Sequence, residues 1–154
     1  MLESRPVQSA AGYRIVRLAN GAHSVHSLAH HETFHPVVGP VAEAEALYVR
    51  QLRLVERLQR HTGEFVLWDV GLGAAANPIT ALRATRAVPC AIHCLSFDHT
   101  LEPLAFALRH RETLGYLGAT SRASNVCCTT ATALSRMAHK PSNGTCTWQT
   151  FPRY

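Results

Sequence analysis

The sequence lacks the features that would assign it to a membrane or secreted class. Its 154 residues contain no apolar run of about 18 residues, the length that a transmembrane helix requires. The N-terminus lacks the basic and then apolar order of a signal peptide. Five cysteines at irregular spacing are more typical of reduced thiols than of a disulfide framework. We therefore expect a soluble, cytoplasmic protein that does not contact a membrane.

Acidic residues are absent from the last part of the chain. Residues 119–154 contain four Lys/Arg and no Asp or Glu, whereas residues 1–118 contain 11 Lys/Arg and 10 Asp/Glu. The formal net charge of +5 is therefore mostly a property of this tail, which weakens it as a sign of an acidic partner. The length is sufficient for one domain with a hydrophobic core.

The first part of the chain contains a hairpin signal and a helical period. Tyr13–Leu18 and Val25–Leu28 flank Asn20-Gly21, a dipeptide that favours a two-residue hairpin turn. From Val41 to about Arg60, apolar residues recur at helical spacing, with Glu early and Arg late. This pattern predicts one amphipathic helix.

An alternating order of strands and helices follows. The sequence predicts a buried strand, a helix, a second strand and a second helix over Phe65–Asp69, Asn77–Arg86, Ala91–Phe97 and Leu101–Leu114. This order predicts an α/β fold with a parallel, Rossmann-like sheet whose later strands are missing after about Leu117. Trp68, Cys90 and Cys94 are expected to pack in the core.

We divide the chain into the N-terminal part of a domain, residues 1–117, and an atypical tail, residues 118–154. Two explanations of the tail stay open. It is either a naturally disordered segment or the product of translation in the wrong frame. Reading residues 127–154 from the third base of permissible codons gives a helix end, a turn and an alternating strand that ends in Leu-Ala-Asp, which favours the second explanation.

A cofactor motif lies at the end of the first predicted strand of the alternating region. Asp69 ends the apolar run, Gly71 and Gly73 follow, and a helix opens near Asn77. Such a turn lets backbone N–H groups approach a nucleotide at the N-terminus of the next helix. Asp98 ends the second strand at the spacing expected of an acid that binds a ribose. The pattern predicts a nucleotide-type cofactor site.

These residues resemble a known family of enzymes. The stretch Asp69-Val70-Gly71-Leu72-Gly73, with Asp98, resembles the cofactor site of class I S-adenosylmethionine-dependent methyltransferases. The upstream segment Glu32-Thr33-Phe34-His35, with Gly39, Glu43 and Tyr48, resembles the MnmC-type methyltransferase domain. The resemblance covers roughly residues 13–117. It implies methylation of the aminomethyl group on the wobble uridine of tRNA, with S-adenosylmethionine as cofactor and tRNA as partner.

The resemblance also implies roles for individual residues. Gly71 and Gly73 let the backbone approach the methionine part of the cofactor, Asp69 holds this corner or the cofactor's amino group, and Asp98 accepts hydrogen bonds from the ribose. Asn77 and Glu43 belong to the cofactor site, and His35 lies at the substrate entrance. Other members continue to an Asp that contacts the adenine and to an Asp-x-Phe-x-Pro-type motif with the catalytic acid. Neither occurs in this chain, so no catalytic residue is predicted and the chain is expected to be inactive.

Two other functions remain open. Similar glycine turns occur in NAD(P)-binding oxidoreductases, and their fingerprint tolerates Ala76 at the position of the third glycine. A non-enzymatic remnant or interaction module is the other alternative. Calorimetric titration with S-adenosylmethionine and NAD(P)H separates the three.

Three further patterns of the sequence involve metal-ligating or basic residues. His31 to His35 matches the H-E-x-x-H zinc pattern, but Pro36 follows directly and disfavours the helix that this pattern needs. The spacing of Cys127, Cys128, His139 and Cys146 fits no zinc knuckle, so we predict no metal. Arg50, Arg53, Arg57 and Arg60 are interpreted as a solvated helical face, with contact to tRNA phosphates as the alternative.

Overall fold

A small antiparallel sheet opens the structure, which is a computed structural model. It describes residues 12–117 and the backbone of two later strands. The strands of the first sheet are β1 (Tyr13–Arg17), β2 (His23–Ser27) and β3 (Glu32–Thr33), in that spatial order. The predicted hairpin at Asn20-Gly21 forms, but its loop has three residues, from Ala19 to Gly21, and not the predicted two. The Gly21 amide donates to the Leu18 carbonyl at 2.9 Å, and the Leu18 amide donates to Ala22 at 2.8 Å.

The segment between the two sheets is a broken helix. It consists of α1 (Pro40–Ala44), a π-helical stretch π1 (Glu45–Gln51) and α2 (Leu54–Arg60). Arg53 separates the last two with a left-handed φ of 49°. The prediction of one continuous helix is wrong here. The wider π turn shifts the buried face, so that Leu47 is 45% exposed although the period of 3.6 residues placed it inside.

The main sheet contains the predicted parallel β-α-β unit. It is built from β4 (Glu64–Val70), α3 (Ala76–Ala84) and β5 (Ala91–Asp98), and β4 pairs with β5 in parallel. Two short helices follow, α4 (Glu102–Arg109) and α5 (Arg111–Leu114), where the sequence predicted one. Gly115 ends them with a φ of 78°. The predicted α/β class is confirmed.

Two strands lie beyond residue 117, where the sequence predicted none. They are β6 (His139–Lys140) and β7 (Gly144–Thr150), and the order of the main sheet is β4-β5-β7-β6. Strand β7 runs parallel to β5, with Leu95 opposite Thr147, and β6 runs antiparallel to β7. The sequence interpretation is corrected at these two places. The remaining predictions for residues 118–154, including the zinc alternative, concern positions or side chains outside the described residues.

Strand β4 is buried on one face and exposed on the other. Phe65 and Leu67 pack with Leu54 and Leu58 of α2 and with Ala81 of α3. Because alternate side chains point to opposite faces, the remaining positions of β4 lie on the far side. Their exposed fractions are 48% for Val66, 68% for Trp68 and 76% for Val70. The prediction of a buried strand therefore holds for one face only, and the prediction of a core role for Trp68 is wrong.

Two hydrophobic clusters join these elements. One contains Tyr13 and Ile15 of the hairpin, Leu104 and Phe106 of α4, and residues of the loop after β4. The other lies between α2, α3 and the main sheet, and includes Cys90. Cys90 and Cys94 are buried, as predicted. No helix among the described residues is both long and apolar enough to cross a membrane.

Candidate functional site

The loop after β4 is built from glycines in positive-φ conformations. Gly71 has a φ of 85° and Gly73 a φ of 51°, values that side-chain-bearing residues rarely adopt. The Gly71 and Leu72 amides donate to the Phe97 carbonyl at 2.8 and 3.3 Å. The loop therefore crosses the carboxyl end of β5 before α3 begins at Ala76. This is the end of a parallel sheet at which α/β proteins bind their ligands.

Asp98 ties this glycine loop to the end of β5. Its Oδ2 accepts a hydrogen bond from the Gly73 amide at 2.8 Å. Its Oδ1 accepts bonds from the amides of His99 and Thr100 at 2.7 and 3.3 Å, and His99 Nδ1 lies 2.9 Å from the same oxygen. The side chain is 8% exposed. A carboxylate offers about four lone-pair sites, so Oδ2 keeps a free site for a further donor.

Asp69 is the most unusual side chain of the site. It is 2% exposed, and neither carboxylate oxygen has a hydrogen-bond partner among the described residues. Burial raises the pKa of Asp69, and the charge of Asp98 adds to this rise. The Ser96 hydroxyl, opposite Asp69 on β5, is near enough to offset part of the rise but does not reach hydrogen-bond geometry. An unpaired buried carboxylate is costly unless a cationic or hydrogen-bonding ligand satisfies it.

The upstream segment approaches the glycine loop. A Cβ placed on Gly73 would lie 3.4 Å from Phe34 Cε2, so the Phe34 ring packs directly on the loop. The next residue, His35, has its Nδ1 2.9 Å from Glu43 Oε1 of α1, and both side chains are partly buried. His35 and Glu43, predicted from the sequence as separate site residues, therefore form a pair.

Tyr48 has a raised pKa and lies on π1, which packs against α3. Burial raises the pKa of Tyr48 most, followed by the charge of Asp69 and then that of Glu43. The sequence singled out Tyr48 as part of a motif but gave it no role.

The predicted residue Asn77 lies in the first turn of α3, directly after the glycine loop. Its Oδ1 is buried and has no hydrogen-bond partner among the described residues. The structure therefore groups Gly71, Gly73 and Asp98 by direct contact, places Asp69 and Asn77 at the two ends of the loop, and pairs His35 with Glu43.

Sequence reasoning missed Tyr116. This buried side chain donates its hydroxyl to the Ala74 carbonyl at 2.9 Å and so supports the glycine loop from below, while the Arg83 guanidinium donates to the Tyr116 carbonyl. Burial raises the pKa of Tyr116 above its usual range. Ala74 and Tyr116 are 42 positions apart, so no local pattern could have indicated the contact.

The H-E-x-x-H stretch is not a helix, as predicted. It contains the two-residue strand β3, and His31 and His35 have left-handed φ values of 53° and 52°. Among the described residues no group of three His, Cys, Asp or Glu side chains is placed to hold a metal ion.

The charges of the site favour a ligand with cationic and hydroxyl groups. Two carboxylates adjoin the glycine loop: Asp69 precedes it directly, and Asp98 accepts a hydrogen bond from the Gly73 amide. A buried carboxylate attracts an ammonium or sulfonium group and repels a phosphate. The Gly71 turn leaves the backbone accessible, since a Cβ there would meet nothing within 4 Å.

One solved structure has the same fold. The crystal structure of MnmC2 from Aquifex aeolicus superposes with a TM-score of 0.61 over 93% of this chain at 18% sequence identity. This chain covers 44% of that protein, less than half of its length. No protein-family model and no curated protein matches the sequence. The chain therefore has the Rossmann-like methyltransferase fold of MnmC2, and at this identity the likeness establishes the fold alone.

Proposed function

We propose that this chain is the cofactor-binding part of an S-adenosylmethionine-dependent methyltransferase domain that acts on the aminomethyl group of the tRNA wobble uridine. The fold shared with MnmC2 and the motif from Asp69 to Gly73 support the class of enzyme. The sequence contains no Asp-x-Phe-x-Pro-type motif, so we assign the chain cofactor binding and no catalytic acid. We also propose a cytoplasmic location, as expected from the sequence.

The observation that carries the proposal is the unpaired, buried carboxylate of Asp69. The methionine part of S-adenosylmethionine carries an ammonium group, and its sulfur is a cationic sulfonium. Either cation compensates the cost of burying Asp69. A dinucleotide would instead bring its anionic pyrophosphate to a loop that Asp69 and Asp98 already make negative. The same residues therefore favour this cofactor over NAD(P).

The remaining residues have proposed roles that follow from their positions. Gly71 and Gly73 let the backbone approach the cofactor, Asp98 binds a ribose hydroxyl through its free lone pair, and Asn77 offers its buried amide at the start of α3. The bound cofactor supplies the sulfonium methyl group. His35, held by Glu43 at 2.9 Å, is proposed to bind the substrate amine at the entrance. The protein thus mainly positions the reactants and excludes water.

Calorimetric titration of the whole chain tests the proposal. We expect S-adenosylhomocysteine and S-adenosylmethionine to bind and NADH or NADPH not to bind. Binding of NADPH alone would instead support the oxidoreductase alternative. A folded chain that binds none of these ligands would overturn the proposal in favour of a non-enzymatic module.

The variant Asp98→Ala tests the assignment of the site. It removes the acceptor for the Gly73 amide and for the ribose, so we expect the affinity for S-adenosylhomocysteine to fall at least about tenfold, the loss of one charge-assisted hydrogen bond. His99→Ala is the matched control, because His99 contacts the other oxygen of the same carboxylate, Oδ1, and is 66% exposed. Equal effects of the two variants would contradict the assignment of Asp98.

A further inference from the structure

Four arginines form a stripe along the broken helix. Arg50 belongs to π1, Arg53 lies at the break, and Arg57 and Arg60 belong to α2. All four are exposed. Arg53, Arg57 and Arg60 are four and three residues apart and line the same depression, so they lie on one side of α2. Arg50 precedes them on the other side of the break at Arg53. The opposite side of α2 is buried through Leu54 and Leu58.

The arginine stripe has almost no compensating charge. Between Glu45 and Glu64 the sequence contains these four arginines and a single acid, Glu56. Within the described residues none of the four guanidinium groups forms an ion pair with a carboxylate. A solvated helix normally intersperses both signs of charge. The excess of positive charge on this side therefore needs another explanation.

Three of the arginines border a depression, and one of them also contacts an aromatic ring. Arg53, Arg57 and Arg60 border a shallow depression of about 190 Å³, whose wall also includes Glu56. The Arg57 guanidinium lies 5.5 Å from the centre of the Phe65 ring, a cation–π distance that restrains the side chain. A restrained guanidinium loses less conformational entropy when it binds an anion.

The stripe lies on the same broken helix as Glu43 of the candidate site, further along the chain. Arg50 comes two residues after Tyr48 on π1. From there α2 runs to the start of β4, where Arg57 lies over Phe65. At 1.5 Å per residue, the seven residues of α2 extend the stripe by about 10 Å. A single small anion would occupy only part of such a track, whereas a polyanion would follow it.

We propose that the arginine stripe binds the sugar-phosphate backbone of RNA next to the nucleotide that enters the site. This inference rests on the proposed function and names the surface that would hold its substrate. Guanidinium groups pair with phosphate oxygens in two-pronged geometry, and they contribute affinity without reading sequence. Binding at the stripe therefore positions the RNA, while recognition of the reacting nucleotide belongs to the site itself.

Fluorescence anisotropy with a labelled anticodon stem-loop RNA tests this inference on the whole chain. The variant Arg53→Gln/Arg57→Gln/Arg60→Gln should bind at least tenfold more weakly than the unmodified chain at 50 mM salt. The slope of the logarithm of the association constant against the logarithm of the salt concentration should decrease in magnitude by about 2. Each phosphate contact on a single strand contributes about 0.7, and the variant removes three arginines. The variant should keep its circular dichroism spectrum because the three side chains are exposed.

A matched control removes the same charge elsewhere. Arg14, Arg17 and Arg111 are also exposed but lie on β1 and α5. Their triple Gln variant should weaken RNA binding less than threefold. Equal losses in the two triple variants would overturn the proposal, because net charge would then explain binding.

Two more measurements separate this inference from its alternatives and from the proposed function. Vesicles of phosphatidylserine and phosphatidylcholine test a membrane as the partner. If the stripe variant loses vesicle binding and keeps RNA binding, the proposal is wrong. Titration with S-adenosylhomocysteine should give the same affinity for the stripe variant and the unmodified chain. RNA binding through the stripe without any cofactor binding would overturn the proposed function alone, and cofactor binding without RNA binding would overturn the stripe alone.

Discussion

The buried side chain of Asp69 lowers the stability of the ligand-free fold and is also the residue that we propose binds the cofactor. Its carboxylate is 2% exposed and unpaired among the described residues, and burial raises its pKa. The folded chain therefore holds the Asp69 proton more tightly than the unfolded chain. The resulting contribution to stability is present below the unfolded pKa, about 3.9, and is lost as the pH rises from there through the higher folded pKa. Above this pH range the burial of Asp69 lowers the stability of the ligand-free fold.

Asp69→Asn removes this buried charge. We expect the variant to be more stable than the unmodified chain at pH 7, because the buried charge is gone while a side chain of the same shape remains, and to lose this advantage at pH values near 4, where Asp69 binds its proton. Urea unfolding at both pH values measures the difference. The same variant should lose affinity for S-adenosylhomocysteine, because it no longer offers a carboxylate to the ammonium group.

The control for this prediction is Glu64→Gln on the same strand, whose side chain is 58% exposed. It should change the free energy of unfolding by less than about 0.5 kcal/mol. A destabilised Asp69→Asn variant would mean that the carboxylate makes a stabilising interaction in the ligand-free chain, and the argument for a cationic ligand would then fail.

Among the elements, those fixed by local chemistry were predictable from the sequence. Asn20-Gly21 specifies its hairpin, and Gly115 ends a helix, because both depend on backbone preferences at the residue itself. The break at Arg53 was not predictable, since a left-handed φ at an arginine has no signal in the helical period of apolar residues. Trp68 was misplaced for a similar reason. An apolar run indicates a strand, but it does not say which faces other elements cover.

The residues of the candidate site also fall into two groups, those that the sequence could predict and those that it could not. Gly71, Gly73 and Asp98 could be proposed from a motif, and the bond from the Gly73 amide to Asp98 brings two of them together. The support by Tyr116 and the pairing of His35 with Glu43 are tertiary contacts between residues that are distant or irregularly spaced in the sequence. No periodic pattern carries such information.

Gly71, in the turn that joins β4 to α3, gives a further prediction, and Gly63 serves as its control. Gly71 and Gly63 have φ values of 85° and 89°, and a Cβ at either would meet nothing within 4 Å. Alanine at either position should therefore cost a similar 1–2 kcal/mol, roughly the penalty for a left-handed residue. Only Gly71→Ala should also weaken binding of S-adenosylhomocysteine, because only Gly71 belongs to the candidate site. Thermal unfolding and calorimetry measure the two effects. Equal binding by both variants would remove Gly71 from the site.

At the scale of the whole molecule, the main sheet has one apolar face that the described elements leave open. Val66, Trp68 and Val70 are exposed on this face, and β4 is an edge strand of the described sheet. The chain spans less than half of the MnmC2 structure that shares its fold. Exposed apolar edge strands pair readily with other strands. The described part of the sheet therefore has a surface that favours self-association.

This surface predicts concentration-dependent self-association that a single charge reduces. Val70→Lys places a cation on the open face of β4, where lysine blocks pairing between edge strands, and should raise the concentration at which association begins about threefold or more. Val37→Lys is the matched control, since Val37 is also 76% exposed but lies in the loop before α1. Light scattering coupled to size-exclusion chromatography over a range of concentrations measures the onset. If both variants shift it equally, added net charge rather than the open strand governs the association of this chain.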